Sequence, residues 1–356
     1  MSDVILHVVG ARPNFMKLAP VHRALAARGV PQRIVHTGQH YDAEMSERFF
    51  LELGLPRPDD HLEVGSGTHA VQTALIMTRI EPVLEQWRPR WTVLYGDVNS
   101  TVAAALVAAK RGFRVAHVEA GLRSGDRTMP EELNRLVTDR LADLLLTPSR
   151  DADANLRAEG VPAGAIVFVG NVMIDTLLHT LARARALDVA AIIGQAVAPH
   201  VLVTLHRPSN VDDPARLKRI LAELERLAAT CPVVFPLHPR TAERITALGA
   251  RSAGNGLHLL GPVRYSELVA LMASARAVLT DSGGIQEETS VLGIPCVTLR
   301  PNTERPITID QGTNRLEADP ARAVDAVLAP RAVTPLAAEG WDGAAGERIA
   351  AALVGR

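Results

Sequence analysis

The 356 residues predict an α/β protein of two doubly wound domains, and three features carry that expectation. Short Val/Ile/Leu runs alternate with longer helical stretches from end to end, the pattern of parallel sheets covered by helices on both faces. The length is that of about two domains at roughly 150 residues each. An Ala-rich segment, residues 177–198, has no strand run and ends at Pro199, which makes it the expected connection between the domains.

The strand runs follow in order. In the first half they fall at residues 4–9, 33–36, 91–95, 114–118, 144–147 and 166–169. The second series falls at 201–205, 233–236, 257–260, 277–280 and 296–299. Domains are therefore expected at 1–185 and 186–340. A closing segment, 341–356, contains a helix over 346–353 that is too short for a domain and is expected to pack back on the first one. In such sheets ligands bind beyond the carboxyl ends of the strands, so residues just after strands are where chemistry is sought.

Charge and composition remove several function classes. With 38 Lys+Arg against 39 Asp+Glu the formal net charge is -1, which gives no electrostatic reason to expect a nucleic-acid or membrane-surface partner. Cys231 and Cys296 are too few for a disulfide framework or a zinc knuckle, so a reducing, cytoplasmic setting is expected. The opening residues lack a basic region and reach Gly10 after a short apolar run, which reads as a buried strand and not a signal peptide. No stretch approaches the ~20 apolar residues of a membrane span. The turn Gly10-Ala11-Arg12-Pro13 is not a dinucleotide fingerprint, no phosphate-loop motif is present, and the 12 His residues form no H-E-x-x-H pair. No metal and no cofactor are expected.

The residues that follow the strands are more informative. Arg12 and Lys17 flank Pro13, a residue suited to a helix's first turn, so two cations stand near a helix N-terminus whose free N–H groups attract anions. A phosphate-facing pair and two solvated surface charges are both open readings. In the second half, Ser282-Gly283-Gly284 ends a strand and opens a helix; two glycines let backbone N–H groups approach a diphosphate, and Glu288, about one turn on, is placed to accept from a ribose diol. Asp97 and Glu119 each leave the carboxyl end of a strand, and Glu131 and Glu132 follow Pro130 in the first turn of a helix. Acidic groups converging on one crevice shift one another's pKa and suit proton transfer in both directions near neutral pH. Capping and surface solvation is the other reading, preferred for Glu132. His206, beside Arg207 after a strand, is a phosphate or acid-base candidate, whereas His238 reads mainly as a structural hydrogen-bonder.

These residues, taken in order, match a family. Gly10-Ala11-Arg12-Pro13 with Lys17, Thr37-Gly38-Gln39-His40, Gly96-Asp97, His117-Val118-Glu119-Ala120-Gly121-Leu122-Arg123, Pro130-Glu131-Glu132 with Asn134-Arg135, and Gly170-Asn171 belong to the first half. Leu205-His206-Arg207, Asp281 through Glu288, and Thr303-Glu304-Arg305-Pro306 continue it. The chain resembles the bacterial UDP-N-acetylglucosamine 2-epimerases of the non-hydrolysing type over nearly its whole length. The resemblance implies a GT-B-like fold of two Rossmann-like domains with the active site in the interdomain cleft, a UDP-sugar substrate and a homodimer. It implies that Arg12, Lys17, His206, Ser282, Gly283, Gly284, Glu288 and Arg305 bind the nucleotide and its diphosphate. Asp97, Glu119 and Glu131, with His206, are the implied acid-base group, and Val263 and Leu268 the implied uracil contacts. Leu268 stands where the family usually has an aromatic side chain. Asp42 and Gly67 stand where activated relatives have an amide and an Arg, so activation by a second substrate molecule is not expected, although Gln39, His40 or Arg207 are possible substitute ligands.

The expected reaction follows from the chemistry. No carbonyl adjoins carbon 2 of an N-acetylhexosamine, so simple deprotonation there is hard; expelling UDP as the carbon-2 proton leaves gives a 2-acetamidoglycal, and re-addition from the other face gives the manno epimer. The product would feed cell-surface polysaccharide precursors. The rivals are a hydrolysing 2-epimerase, which releases N-acetylmannosamine and UDP, a GT-B glycosyltransferase, which needs only one general base, and a non-catalytic nucleotide-sugar sensor, against which the intact acid-base positions argue.

Overall fold

The computed structural model describes residues 3–38, 49–196, 199–249, 256–329 and 331–356. The chain divides into two compact units: Met1–Thr176 together with Ala338–Arg356, and Leu177–Ala337. The division after Thr176 falls inside a continuous helix, Val172–Arg185, and the return to the first unit comes at Ala338.

The first unit is built on a parallel sheet ordered β3-β2-β1-β4-β5-β6-β7, with β1 Ile5–Val9, β2 Gln32–His36, β3 Asp60–His61, β4 Trp91–Tyr95, β5 Val115–Val118, β6 Leu144–Thr147 and β7 Ile166–Phe168. Every residue of β1, β4, β5 and β6 is buried, as helices on both faces require. The order reverses direction between β1 and β4, and such a switch point opens a crevice at the carboxyl ends of the two strands. Gly10 and Gly96 begin the turns there.

The second unit repeats the plan with β10-β9-β8-β11-β12-β13: β8 Val201–Thr204, β9 Val233–Pro236, β10 Leu257–Leu260, β11 Ala277–Thr280, β12 Cys296–Thr298 and β13 Asn314–Leu316. Its switch point lies between β8 and β11. Helix Pro214–Ala228 shows how the core is made: Leu217, Ile220, Leu221, Leu224 and Leu227 recur at helical spacing on one buried face, each contributing roughly 1.5–3 kcal/mol of burial. Pro214 at its first position and Asp213, whose side chain accepts from Ala215 N, fix where it starts.

Two strands lacked a signal in the sequence. β3 and β13 are two and three residues long, carry Asp, His, Asn and Arg, and sit at sheet edges, held by backbone pairing to β2 and β12. The expected connection at 177–198 is largely helical, with Val172–Arg185 continuing into it and Val189–Ile193 following. The closing helix spans Ala345–Val354. Asp175 accepts from Ala345 N and Gly346 N at its start, and a Cβ on Gly346 would lie 2.8 Å from the Pro20 backbone, so this helix packs against Arg12–Ala27. Trp91 Nε1, donating to Leu353 O at 3.1 Å, ties the other end to β4. Among the described residues no helix is long and apolar enough to cross a membrane.

Candidate active site

In the first unit the turns after β1, β4 and β5 are locked together. A Cβ on Gly10 would lie 2.0 Å from Ser100 Oγ and 2.5 Å from Thr37 Oγ1, so only glycine fits where β1 ends. Asn14 Oδ1 accepts from Gly10 N and Ala11 N, both at 3.0 Å, and its amide donates to Tyr95 O at 2.8 Å, joining the β1 turn to the end of β4. Arg12 opens helix Arg12–Ala27 half-buried, its guanidinium 5.5 Å from the Phe49 ring centroid.

Lys17, one turn further along that helix, is 6 % exposed and ion-pairs with Glu119, itself 7 % exposed. Charge removed from water at this depth persists only against an opposite charge. Glu119 adopts a left-handed φ of 72°, a conformation that costs a residue with a side chain of the order of 1–3 kcal/mol and gathers at functional sites. Gly96 makes room for the pair: its φ is 64°, and a Cβ there would lie 2.5 Å from Lys17 Nζ and 3.2 Å from Glu119 Oε2. Asp97 is the next residue.

Asp97 pairs with Arg135, which is 2 % exposed and binds Glu132 Oε2 at 2.6 Å. Glu132 is therefore not a solvated surface group. It is buried and also accepts from Ser124 N and Gly125 N at 3.0 Å. Burial alone would raise its carboxyl, but the Ser124 amide, Arg135 and the Gly125 amide outweigh it and hold it below the usual range. Glu131 is half-buried in the first turn of Pro130–Leu141, and its side chain finds no hydrogen-bond or ion-pair partner among the described residues.

A third layer supports these turns. Both ring nitrogens of the fully buried His117 face acceptors, Asp139 Oδ1 at 2.6 Å and the Gly96 carbonyl at 2.8 Å. Asp139 also accepts from Arg123 at 2.7 Å and from Gly121 N at 3.0 Å. Burial would raise Asp139, but His117 and Arg123 hold it low.

In the second unit a single buried carboxylate organises the switch point. Asp281 accepts from the backbone N–H of His206 at 3.1 Å and of Arg207 at 3.0 Å, and from the Asn210 amide at 3.0 Å. His206 Nδ1 lies 3.3 Å from it, while the imidazole remains 43 % exposed. His238 caps helix Pro239–Ala247, accepting from Arg240 N at 3.3 Å, with its ring centroid 5.7 Å from that of His206.

Ser282 precedes helix Gly283–Leu292, where Ser282, Gly283 and Gly284 are half-buried. Gly283 leaves room for an ion pair: a Cβ there would lie 2.5 Å from Arg305 Nη1 and 2.7 Å from Glu304 Oε1. Arg305, 8 % exposed, pairs with Glu304 and with Glu287 Oε1 at 3.0 Å. Against the effect of burial, Arg305, Arg300 and Arg207 hold Glu304 far below the usual carboxylate range. Glu288, 2 % exposed, has a different setting. Its Oε1 accepts from the Tyr265 hydroxyl at 2.6 Å; burial pushes its carboxyl up to about 7 despite that bond, and neighbouring Glu287 adds to the rise. Val263 and Leu268, both half-buried, flank the start of helix Tyr265–Ala273.

The structure brings Lys17, Glu119 and the Gly96-Asp97 turn together in the first unit, and His206 and Asp281 together in the second. Asp42, Gln39 and His40 lie outside the described residues; Gly67 is exposed just ahead of helix His69–Trp87. Sequence reasoning missed Asn14, Asp139 and Tyr265, quoted Arg135 without giving it a role, and missed the anchoring role of Asp281. Asp281 stood inside a quoted motif and had a visible signal, a carboxylate closing a buried strand at its carboxyl end.

Two doubly wound parallel units of this kind define a GT-B-like α/β enzyme. The profile of the family described as UDP-N-acetylglucosamine 2-epimerase matches residues 23–354. The UDP-N-acetylglucosamine 2-epimerase of Methanocaldococcus jannaschii is 42% identical over 320 residues, 88% of this chain and 87% of that protein. A Pseudomonas aeruginosa protein, UDP-2,3-diacetamido-2,3-dideoxy-D-glucuronate 2-epimerase, is 43% identical over 317 residues, 88% of this chain and 87% of its own. The crystal structure of the Methanocaldococcus jannaschii enzyme with UDP-GlcNAc and UDP superposes with a TM-score of 0.92 at 39% identity, covering 99% of this chain and 100% of that one. The chain belongs to the UDP-N-acetylglucosamine 2-epimerase family.

Proposed function

We propose that the chain reversibly inverts carbon 2 of UDP-N-acetylglucosamine, giving UDP-N-acetylmannosamine, without hydrolysing the nucleotide sugar. The observation that carries this reading is the buried Lys17–Glu119 pair, with Glu119 in a left-handed backbone beside the Gly96-Asp97 turn. A carboxylate fixed in this way suits proton transfer better than surface solvation.

In this mechanism the nucleotide is held by the second unit. Ser282, Gly283, Gly284 and His206 carry the diphosphate at a helix N-terminus, Glu288 accepts from the ribose, and Val263 and Leu268 contact the uracil. Arg12 adds charge to the diphosphate, while Lys17 and Arg305 act by holding Glu119 and the Gly283 turn. One of Asp97, Glu119 and Glu131 takes the carbon-2 proton as the carbon-1 to oxygen bond breaks. Its electron pair leaves with UDP, and a double bond forms between carbons 1 and 2. Re-addition of UDP, with a proton delivered to the opposite face of carbon 2, completes the inversion. Hydrogen-bond donors and cations aimed at the departing diphosphate lower the barrier to this cleavage.

A second substrate has a specific observation in its favour: the 43% identical Pseudomonas aeruginosa relative is named for a 2,3-diacetamido glucuronate. Incubating the protein with each UDP-sugar in deuterated water, with products read by NMR, tests both. The expected result is deuterium at carbon 2 of recovered UDP-N-acetylglucosamine and of its epimer. Free N-acetylmannosamine would establish a hydrolase, transfer to an acceptor a glycosyltransferase, and labelling of the glucuronate alone the second substrate. The reading also takes the enzyme to be a cytoplasmic homodimer serving polysaccharide precursors; sedimentation equilibrium checks the dimer.

A further inference from the structure

Among the described residues, Glu288 is buried more deeply than its partners account for. The adjacent Glu287 pairs with Arg305 at 3.0 Å, but the hydrogen bond of Glu288 among the described residues is the one from Tyr265, at 2.6 Å. A carboxylate has about four acceptor sites, so one donor leaves most of its capacity unused in a place where unmet polar groups are costly. Tyr265 is 3 % exposed and opens helix Tyr265–Ala273, the same helix start that Val263 and Leu268 flank. Its hydroxyl reaches 23 residues along the chain to Glu288 Oε1, on the second turn of the helix that begins at Gly283.

We propose that Tyr265 is a positioning residue of the ribose site: its hydroxyl holds one oxygen of Glu288, leaving the other to accept from the ribose hydroxyls. This rests on the reading that Glu288 binds the ribose. A phenol suits the role because it donates one hydrogen bond from a rigid ring, fixing the plane of the carboxylate without neutralising its charge as Arg or Lys would.

Calorimetry with UDP and 2′,3′-dideoxy-UDP on wild type, Tyr265→Phe and Glu288→Gln separates the two ideas. Wild type is expected to prefer UDP by about tenfold or more, the scale of hydrogen bonds to a charged group. Tyr265→Phe is expected to cut that preference by about threefold or more and leave dideoxy-UDP affinity unchanged, and Glu288→Gln to remove most of it. Equal weakening of both nucleotides by Tyr265→Phe, or no change, with the preference lost only in Glu288→Gln, would overturn the role of Tyr265 and leave the ribose reading intact. An undiminished preference in Glu288→Gln would overturn the ribose reading itself.

Discussion

The two units hold their carboxylates in different company. In the first, Glu119 faces Lys17, Asp97 faces Arg135, Glu132 has Arg135 and two backbone amides, and Asp139 lies between His117 and Arg123. In the second, Glu304 is surrounded by arginines, but Glu288 has a neutral phenol and a like-charged neighbour. Cations and amides hold the Glu132 and Asp139 carboxyls below their ordinary range, whereas burial pushes Glu288 up to about 7. In the proposed mechanism, ion pairs fix the carboxylates of the first unit, and the nucleotide contact at Glu288 is where pH would act.

The largest expected effect separates the units by function. Glu119→Gln or Asp97→Asn should lower turnover by roughly 10²-fold or more with UDP affinity nearly unchanged, as steady-state rates set beside calorimetry will show. Glu119→Gln also strands the Lys17 charge, at a cost of about 3–5 kcal/mol in denaturant unfolding; adding Lys17→Met should recover part of that loss. If turnover survived or UDP affinity fell equally, the contrast between the units would fail.

Two glycines give a matched pair of smaller effects. Gly96→Ala sets a Cβ 2.5 Å from Lys17 Nζ, and Gly283→Ala sets one 2.5 Å from Arg305 Nη1. The first should reduce turnover about tenfold or more and spare UDP binding; the second should weaken UDP binding by a similar factor, which titration of each variant measures.

The pH prediction sharpens the comparison further. Glu288 faces Tyr265 from the neighbouring helix and Glu287 on its own, the latter paired with Arg305. Its folded value of about 7 lies above the ordinary 4.5, so its contribution to stability is fully present below pH 4.5 and is lost as pH rises through about 7. If Glu288 accepts from the ribose as proposed, ionisation over the same range strengthens that contact, so the UDP to 2′,3′-dideoxy-UDP affinity ratio should climb several-fold between about pH 6 and pH 8. Using the ratio cancels titration of the nucleotide's own phosphate. A flat ratio would place the titration elsewhere. The smallest effect expected is from Leu268→Phe, which should tighten UDP by about threefold through stacking on the base, measured by the same titration.

The sequence by itself determined the fold class and the central strands that make it. Runs such as Ile5–Val9 and Trp91–Tyr95 are apolar throughout because a parallel strand between two helical layers has no polar face, and that necessity is written locally. It also placed Asp97, Glu119, His206 and Ser282 just after strands, where a doubly wound sheet puts its ligands. β3 and β13 were not legible because edge pairing uses backbone groups that any residue carries. Which charge meets which was decided only by the tertiary structure. Lys17 meets Glu119 across 102 residues, Arg135 meets Asp97 across 38, and Tyr265 meets Glu288 across 23. Strand order brings these elements side by side, and local spacing carries no record of strand order, so each carboxylate's partner is fixed only when the sheet closes around it.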